Sequence, residues 1–402
     1  MQNSRSLLIS VPQKILFLQS TSEIGGSDIS LLRIVGHLDK RVYEPIVGLP
    51  QDGPLVEKLK QAGSGVVIFP EMMKLTSRKN VFYPLFYLVN YPWAVFRIAA
   101  WIRKNGIALV HTNTLHNLYG FASARLAGRP HVWHVREIVL QSRVMLQIER
   151  RLALHFSDRI VVTSDAVAEN FLPDIRHRRK VTKISNGVDL REFRPGLDGS
   201  RILHDLGFPK GAPLIGLVAR LDHWKGVETF LEAAALAAQK NPAARYLIAG
   251  GPVPGREDYA RQMKQRARDL NLDGRVQFTD WRYGPKVMPE VYAALDVLVL
   301  ASSWPEPFGL TVIEAMASAK PVIVTNHGGP QEICIHDHTG LLVTPKNPQA
   351  MADAMTELME DPGKRKTMGQ AGRKRAEALY DERDCAKKIE AVYRDLLKEK
   401  SF

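Results

Sequence analysis

The stretch SSWPEPFGLTVIEAMASAKPVIVTNHGGPQEICIHDHTGLLVTP, residues 302–345, decides how the chain is read. It follows an apolar run, Leu295 to Leu300, that reads as a buried parallel strand, and it opens a helix near Phe308 or Gly309. A polar loop that leaves a strand and starts a helix is where open α/β sheets bind ligands. Pro305 and Pro307 stiffen the loop, and Gly309 lets a ligand approach the backbone closely. The amides of Phe308, Gly309, Leu310 and Thr311 attract phosphate, because unpaired N–H groups and the helix dipole both favour negative charge. Glu314 lies one turn after Leu310, and helical side chains lean back toward the N-terminus, so its carboxylate reaches a ligand held there. Carboxylates suit sugar hydroxyls. Glu306 and Glu314 therefore fit a nucleotide-sugar, although two acids alone fit a helix start decorated with stabilising glutamates better.

The surrounding words separate those readings. Glu306 through Glu314 resembles the E-x7-E motif of retaining glycosyltransferases, and PEPFGLTVIEAMASAKPVIVTNHGGPQEI resembles the donor-binding core of glycosyltransferase family 4. The resemblance runs over most of the chain. It implies an α/β chain of GT-B fold, with two Rossmann-like domains facing across a cleft.

The composition agrees with two soluble domains. The chain has 402 residues, 45% hydrophobic and 24% charged, too long for one ordinary core. Cys334 and Cys385 are too few for a disulfide scaffold and point to a reducing cytoplasm. The opening MQNSRSLLISVPQ shows no secretory pattern. The net charge is +13, and it is unevenly spread: residues 1–195 hold 27 Lys plus Arg against 15 Asp plus Glu, the remainder 28 against 27. The basic half is expected to meet an anionic surface. No recognition-helix, zinc-finger or RNP pattern accompanies the charge, so nucleic acid is not expected.

Strand and helix patterns alternate from the start: KILFLQS, a helix from about Ser27, EPIVGL, a helix, GVVIFP. That order implies βαβ units and a parallel sheet. Gly25 and Gly26 precede a Ser27 or Asp28 cap, and they resemble the family's N-terminal glycine loop, which faces the donor phosphates and acceptor. Residues 78–104, RKNVFYPLFYLVNYPWAVFRIAAWIRK, enclose eight aromatic residues between Arg78, Lys79 and Arg103, Lys104. The longest apolar run is far short of the ~20 residues that span a bilayer. The pattern is expected to lie at a membrane interface, with the part from Val95 to Ile102 in the core. IALVHTN follows, then a helix from about Leu115, then the strand HVWHV. His134, at the carboxyl end of that strand, resembles the family histidine that touches the donor sugar; His131 is the competitor, and Val135-Arg136-Glu137 departs from many relatives. A helix with Glu149, the strand DRIVVTS and the helix DAVAENFL lead to a basic loop, Arg176 to Lys180. KISNGVDLREF resembles the family segment that closes the first domain, and RPGLDGS reads as linker.

The second half opens with PLIGLVARLDHWKGVETFLEAAALA, a strand, a loop and an amphipathic helix. Arg220 and Lys225 stand five apart across the loop, and Gly226 starts the helix. Two cations at a helix start neutralise a diphosphate leaving group without metal, and they match the family's R-x4-K pair. Gly250-Gly251 after RYLIA is expected against the nucleotide, and Phe278 to Arg282 near its base. Cys334, His336 and His338 supply only three ligands and are not read as a metal site. The tail from Asp381 is expected to be a helix returning to the first domain. Domains are thus expected at 1–195 for the acceptor and 196–380 for the donor, with 381–402 packing back on the first.

The resemblance implies a retaining, metal-independent glycosyltransferase that moves a sugar from a nucleotide-diphosphate sugar to an acceptor. The basic first half, the aromatic segment from Arg78 to Lys104 and the basic loop from Arg176 to Lys180 lead us to expect it peripheral on the cytoplasmic face of a membrane, with a glycan or lipid-linked acceptor of cell-surface glycan synthesis. No cofactor is expected. No two aspartates are separated by a single residue, so the D-x-D metal motif is absent. In this reading Arg220 and Lys225 stabilise the departing diphosphate, Glu314 holds the ribose, and Glu306 with His134 orients the sugar. Gly25, Gly26, Gly250, Gly251, Phe308, Gly309 and Leu310 complete the donor-binding set. A dinucleotide oxidoreductase fails because GGSDIS lacks the G-x-G-x-x-G spacing. A non-catalytic nucleotide-sugar binder and a GT-B epimerase or phosphorylase stay open alternatives. Donor sugar, acceptor, linkage and oligomeric state are not legible in the residues.

Overall fold

The computed structural model describes residues 11–73, 83–140, 142–172 and 179–399. Contacts divide them into two compact units. The first takes the residues through Thr163, Val167–Ile184 and the last helix, Glu382–Glu399; the second takes Ser164–Ala166 and Ser185–Asp381. The chain thus enters the second unit after Ile184, where the sequence reading placed the change at residue 195. The intervening segment is bonded into the second unit: the Val188 amide donates to the Tyr380 carbonyl at 2.8 Å, and Phe193 is buried in that unit's core.

The first unit is a seven-stranded parallel sheet. Its strands are β1 (Gln13–Leu18), β2 (Tyr43–Leu49), β3 (Gly65–Ile68), β4 (Ile107–Thr112), β5 (His131–Val135), β6 (Arg159–Val162) and β7 (Val181–Lys183), in the order β3-β2-β1-β4-β5-β6-β7. Ile15 to Leu18 of β1 are wholly buried, as expected of a strand covered on both faces. Alternate residues feed two cores. Ile15 and Phe17 pack with Leu31 and Val35 of the helix Gly26–His37 and with Ile389, Val392, Tyr393 and Leu396 of the last helix. Leu16 and Leu18 pack with Ala94, Val95, Ile98 and Ile102 of the helix Tyr83–Lys104.

The second unit repeats the plan with β8 (Leu214–Val218), β9 (Arg245–Ala249), β10 (Val276–Phe278), β11 (Val297–Leu300), β12 (Val322–Thr325) and β13 (Gly340–Val343), ordered β10-β9-β8-β11-β12-β13, all parallel. Strand order reverses between β1 and β4 in one unit and between β8 and β11 in the other. At such a reversal the loops leaving two adjacent strands diverge and open a crevice.

Three local readings are corrected. The first helix is capped by Gly25, not by Ser27 or Asp28; Asp28 reaches back as the third helical residue to take the Gly25 amide at 2.9 Å. The helix expected from Leu115 begins at Tyr119, because Leu115 is a buried loop residue whose amide donates to Glu137 at 3.0 Å. Lys180 of the basic loop is spent locally: its ammonium donates to the carbonyls of Leu154 and Ser157 at 3.0 and 3.3 Å, satisfying the end of the helix Arg143–Phe156. Arg176, His177 and Arg178 of that loop lie outside the described residues, as do Arg78, Lys79 and Phe82. Among the described residues, no helix is long and apolar enough to cross a membrane.

Candidate functional site

In the second unit the loops that leave β8, β9 and β11 carry the predicted residues, and the β8 and β11 loops meet. After β8 the chain runs through exposed Arg220 into a single 3-10 turn, His223–Lys225, and then to Gly226, the cap of the helix Val227–Lys240. Gly226 has φ 69°, and a Cβ there would lie 1.8 Å from the Ala301 carbonyl at the end of β11. Only glycine allows the two loops to touch in this way. A second tie runs from the Ser303 amide to the Trp224 carbonyl at 2.8 Å.

That contact joins two chemical groups named from sequence. Lys225 Nζ lies 2.6 Å from Glu306 Oε1, with both side chains largely buried, and Nζ also sits 3.9 Å above the Trp224 ring. The Ser302 hydroxyl donates to the same carboxylate oxygen. The backbone of Glu306 is held as well, since its carbonyl accepts the Gly329 amide at 2.8 Å and the residue bridges to Gly328. Gly328 (φ 70°) has the Glu306 carbonyl 2.4 Å from where its Cβ would be. His327 donates from Nε2 to the Ser302 carbonyl at 2.8 Å, bracing the loop from β12. Arg220, in contrast, has no hydrogen-bond or ion-pair partner among the described residues.

Gly309, with φ 108°, caps the helix Leu310–Ala317; the Val312 amide turns back to the Gly309 carbonyl at 3.1 Å, and the Leu310 and Thr311 amides precede any intrahelical acceptor. Phe308 contributes its backbone there, while its ring is buried edge-on against Tyr380 at 5.9 Å. Leu310 is half-buried against the same core. Glu314 Oε2 accepts the hydroxyl of buried Tyr292 at 2.9 Å, which aims the carboxylate. Gly250 (φ 129°) lies against the Ala219 carbonyl, and Gly251 lies under the exposed ring of Trp281, so β9 ends in a bare backbone beside β8.

In the first unit, the carboxyl ends of β1, β4 and β5 carry a buried polar chain. His134 is 1% exposed; its Nδ1 lies 3.2 Å from both Arg136 Nη2 and His111 Nε2, and its Nε2 is buried without a partner among the described residues. Arg136 Nε donates to Asn113 at 3.0 Å, Asn113 Nδ2 to Gln19 at 3.1 Å, and Gln19 to Asp28. Gly25 joins through its amide on Asp28, so the glycine loop is tethered to β5; Gly26 is the first helical residue. Burial holds the imidazoles of His134 and His111 well below the usual histidine pKa, and the Arg136 charge lowers both further. Burial likewise raises the Asp28 carboxyl and brings Arg136 down to about 10. The competitor His131 points elsewhere: its Nε2 meets Thr112 at 2.7 Å and its Nδ1 meets Ser157 at 3.1 Å, both in the interior.

Ser302, Trp224, His327 and Tyr292 were not singled out from sequence, nor were Gln19, Asp28 as an anchor, Asn113, His111 and Tyr393. A signal existed for two of them, because His111 and Asn113 stand in a polar ending, His-Thr-Asn, of an otherwise apolar strand. Cys334 is buried and its thiol is pushed up to about 12, chiefly by burial. Among the described residues, no group of three His, Cys, Asp or Glu side chains is placed to hold a metal ion.

Two family models match the chain side by side: "Glycosyltransferase Family 4" over residues 24–192 and "Glycosyl transferases group 1" over residues 200–375. Anabaena HepE, solved in complex with UDP and glucose, is 27% identical, with a TM-score of 0.81 over 95% of this chain and 99% of its own. It has also been solved with UDP-glucose. The D-inositol 3-phosphate glycosyltransferase of Corynebacterium urealyticum is 33% identical over 245 residues, which are 60% of this chain and 57% of that protein's length. The lipopolysaccharide core biosynthesis mannosyltransferase LpsB of Rhizobium meliloti is 26% identical over 298 residues, 68% of this chain and 82% of its own.

Proposed function

We propose that this chain, which belongs to the family 4, group 1 glycosyltransferases and has the two Rossmann-like units of the GT-B fold, is a retaining glycosyltransferase that needs no metal. The observation that carries the reading is the joint between the loops that leave β8 and β11, where Lys225 and Glu306 are held in contact, with Arg220 exposed earlier in the loop that supplies Lys225. Exposed Arg220 and the amides of the helix Leu310–Ala317 offer charge to a diphosphate. Lys225 is already neutralised by Glu306, so a phosphate competes for its ammonium as the donor arrives. Glu306 is then released to meet a hydroxyl of the sugar, and the diphosphate leaves against two cations rather than against Mg²⁺. Glu314, aimed by Tyr292, takes the ribose. The HepE complexes support a uridine diphosphate sugar as the donor class.

A thermal-shift screen of nucleotide-sugars followed by transfer from the labelled hit tests this. A ligand at 100 times its dissociation constant stabilises by about 2.7 kcal/mol. Transfer should survive exhaustive chelation; a strict, saturable requirement for a divalent cation would overturn the metal-free reading, and binding without transfer would favour a non-catalytic binder.

The acceptor is proposed to be membrane-bound. The helix Tyr83–Lys104 buries one side and leaves Phe86, Val89, Trp93 and Phe96 more than half exposed, with Arg97, Arg103 and Lys104 beside them. It packs on the helix Tyr119–Ala127, which packs on Arg143–Phe156, where Val144 and Ile148 are exposed next to Arg143 and Arg151. Rings and cations in one helical layer fit an anionic lipid surface, at about 1 kcal/mol per basic residue. Flotation should show binding to anionic vesicles with a salt-resistant remainder from the rings. Failure to float at low salt would make a soluble acceptor the better reading.

A further inference from the structure

The hydrogen bonds around His134 determine which ring nitrogen carries its proton. A guanidinium has only donors, and Arg136 Nη2 lies 3.2 Å from His134 Nδ1, so Nδ1 must present its lone pair and the proton of the neutral ring must sit on Nε2. His111 agrees. Its Nε2 also faces His134 Nδ1 at 3.2 Å and must donate, which leaves its own Nδ1 as an acceptor for the Tyr393 hydroxyl at 2.6 Å. Tyr393 is fully buried and keeps its phenolic proton. The row of three would be equally consistent with every proton reversed, from His134 Nδ1–H to His111 Nε2 and from His111 Nδ1–H to the Tyr393 oxygen. Arg136 alone breaks that symmetry. The guanidinium is itself fixed, because its Nε is spent on Asn113, which donates onward to Gln19 and thence to the Asp28 carboxylate.

We propose that Arg136 locks His134 as the Nε2–H tautomer, making this histidine a permanent hydrogen-bond donor to an oxygen of the bound substrate and removing it from any role as a base. The proposal rests on the proposed glycosyltransferase function and on the expectation, drawn from the family resemblance, that His134 touches the transferred sugar. Its Nε2–H is buried and unpartnered among the described residues, and a buried donor left unmet is costly enough that a ligand oxygen arriving there is strongly favoured. Arg136 and Tyr393 are then positioning residues, acting through the ring.

Nitrogen-15 spectra of the histidine side chains in the full chain read the tautomer directly, with His134→Gln used to assign the resonance. At pH 7 the wild-type ring should show a protonated Nε2 and a bare Nδ1. Arg136→Lys, which keeps a donor-only cation, should preserve that state; Arg136→Met should admit a second, Nδ1–H population. A wild-type ring that is Nδ1–H, mixed or doubly protonated overturns the proposal even if neither arginine variant folds. In turnover, His134→Gln retains an N–H near the lost Nε2 and should exceed His134→Leu by roughly tenfold, the worth of one hydrogen bond. Wild-type turnover in His134→Leu would instead refute the placement of His134 at the sugar while leaving the tautomer result standing.

Discussion

Replacing Gly226 by alanine tests the joint on which the site depends. The new Cβ would lie 1.8 Å from the Ala301 carbonyl oxygen, and real Cβ atoms essentially never come within 3.0 Å of such a neighbour, so the start of the helix Val227–Lys240 and the end of β11 must separate by about 1.2 Å. Neither partner is a flexible side chain that can swing aside; both are backbone. Lys225 and Glu306 sit on opposite sides of the gap, and their 2.6 Å contact would open beyond hydrogen-bond range. A misplacement of about 1 Å among reacting groups costs on the order of 100-fold in rate. The left-handed backbone adds its own strain of about 1–2 kcal/mol, which must be subtracted. Gly274→Ala supplies the control: it lies in the same unit with φ 71° and has nothing within 4 Å of the added methyl. Both variants should lose a few degrees of melting temperature from the shared strain. Only Gly226→Ala should lose turnover by ~100-fold, with weaker binding of the nucleotide-sugar by calorimetry. If the two variants turn over alike, the contact between the loops does not hold the catalytic geometry, and the reasoning fails.

Arg220→Ala and Lys225→Ala should each slow transfer by ~100-fold or more, with different stability signatures. Exposed, unpaired Arg220 should leave the melting temperature unchanged, whereas losing Lys225 strands a buried carboxylate and should lower it; steady-state kinetics beside calorimetry decides, and near-normal turnover in both would refute the clamp. Glu314→Gln should weaken binding of the bare nucleoside diphosphate and of the intact donor, Glu306→Gln only of the sugar-bearing ligand; equal losses by titration calorimetry would show the division of roles to be wrong. Stability should fall with acid. His111, His131 and His134 are kept neutral by burial, His131 down to about 3, while their unfolded counterparts take a proton near 6.5. The stability they contribute above pH 6.5 is therefore lost as pH falls from there toward 3, by up to ~1.4 kcal/mol per pH unit for each ring. Urea midpoints between pH 7.5 and 5 measure it, and a flat profile would contradict their neutrality.

The architecture was legible because both units write it in long words. Buried parallel strands such as Ile15–Leu18 and Val297–Leu300 read as unbroken apolar runs, and the glycines at 25, 226, 250 and 309 mark the loops that leave them. Strands β7, β12 and β13 carry only three or four residues each and escaped as separate elements inside longer motifs. The site was legible as a set of residue types and illegible as a set of contacts. Nothing in the spacing of Lys225 and Glu306, 81 positions apart, announces that they pair. Tyr393 and His111 are 282 positions apart, and a tyrosine on an amphipathic helix reads as core. Phe308 was named for its amide, and only packing shows that its ring belongs to the interior. The aromatic helix was read as partly core and partly interfacial; its core side is formed because Ala94, Val95, Ile98, Ala99 and Ile102 pack with Leu16 and Leu18 of β1, and Phe86, Val89, Trp93 and Phe96 are left exposed.

The last helix, Glu382–Glu399, gives the protein an unusual order of manufacture. Tyr393, Ile389 and Leu396 help close the first core, yet they leave the ribosome after the whole second unit. At 5–20 residues per second, the roughly 200 residues between Ile184 and Glu382 take about 10–40 s to add. Throughout that interval the half of the chain made first keeps part of an apolar face uncovered, and the half made second is complete before it. A nascent chain stalled or cut between Asp381 and Tyr393 would therefore carry a finished second unit and an unfinished first one, with the sticky surface on the older end.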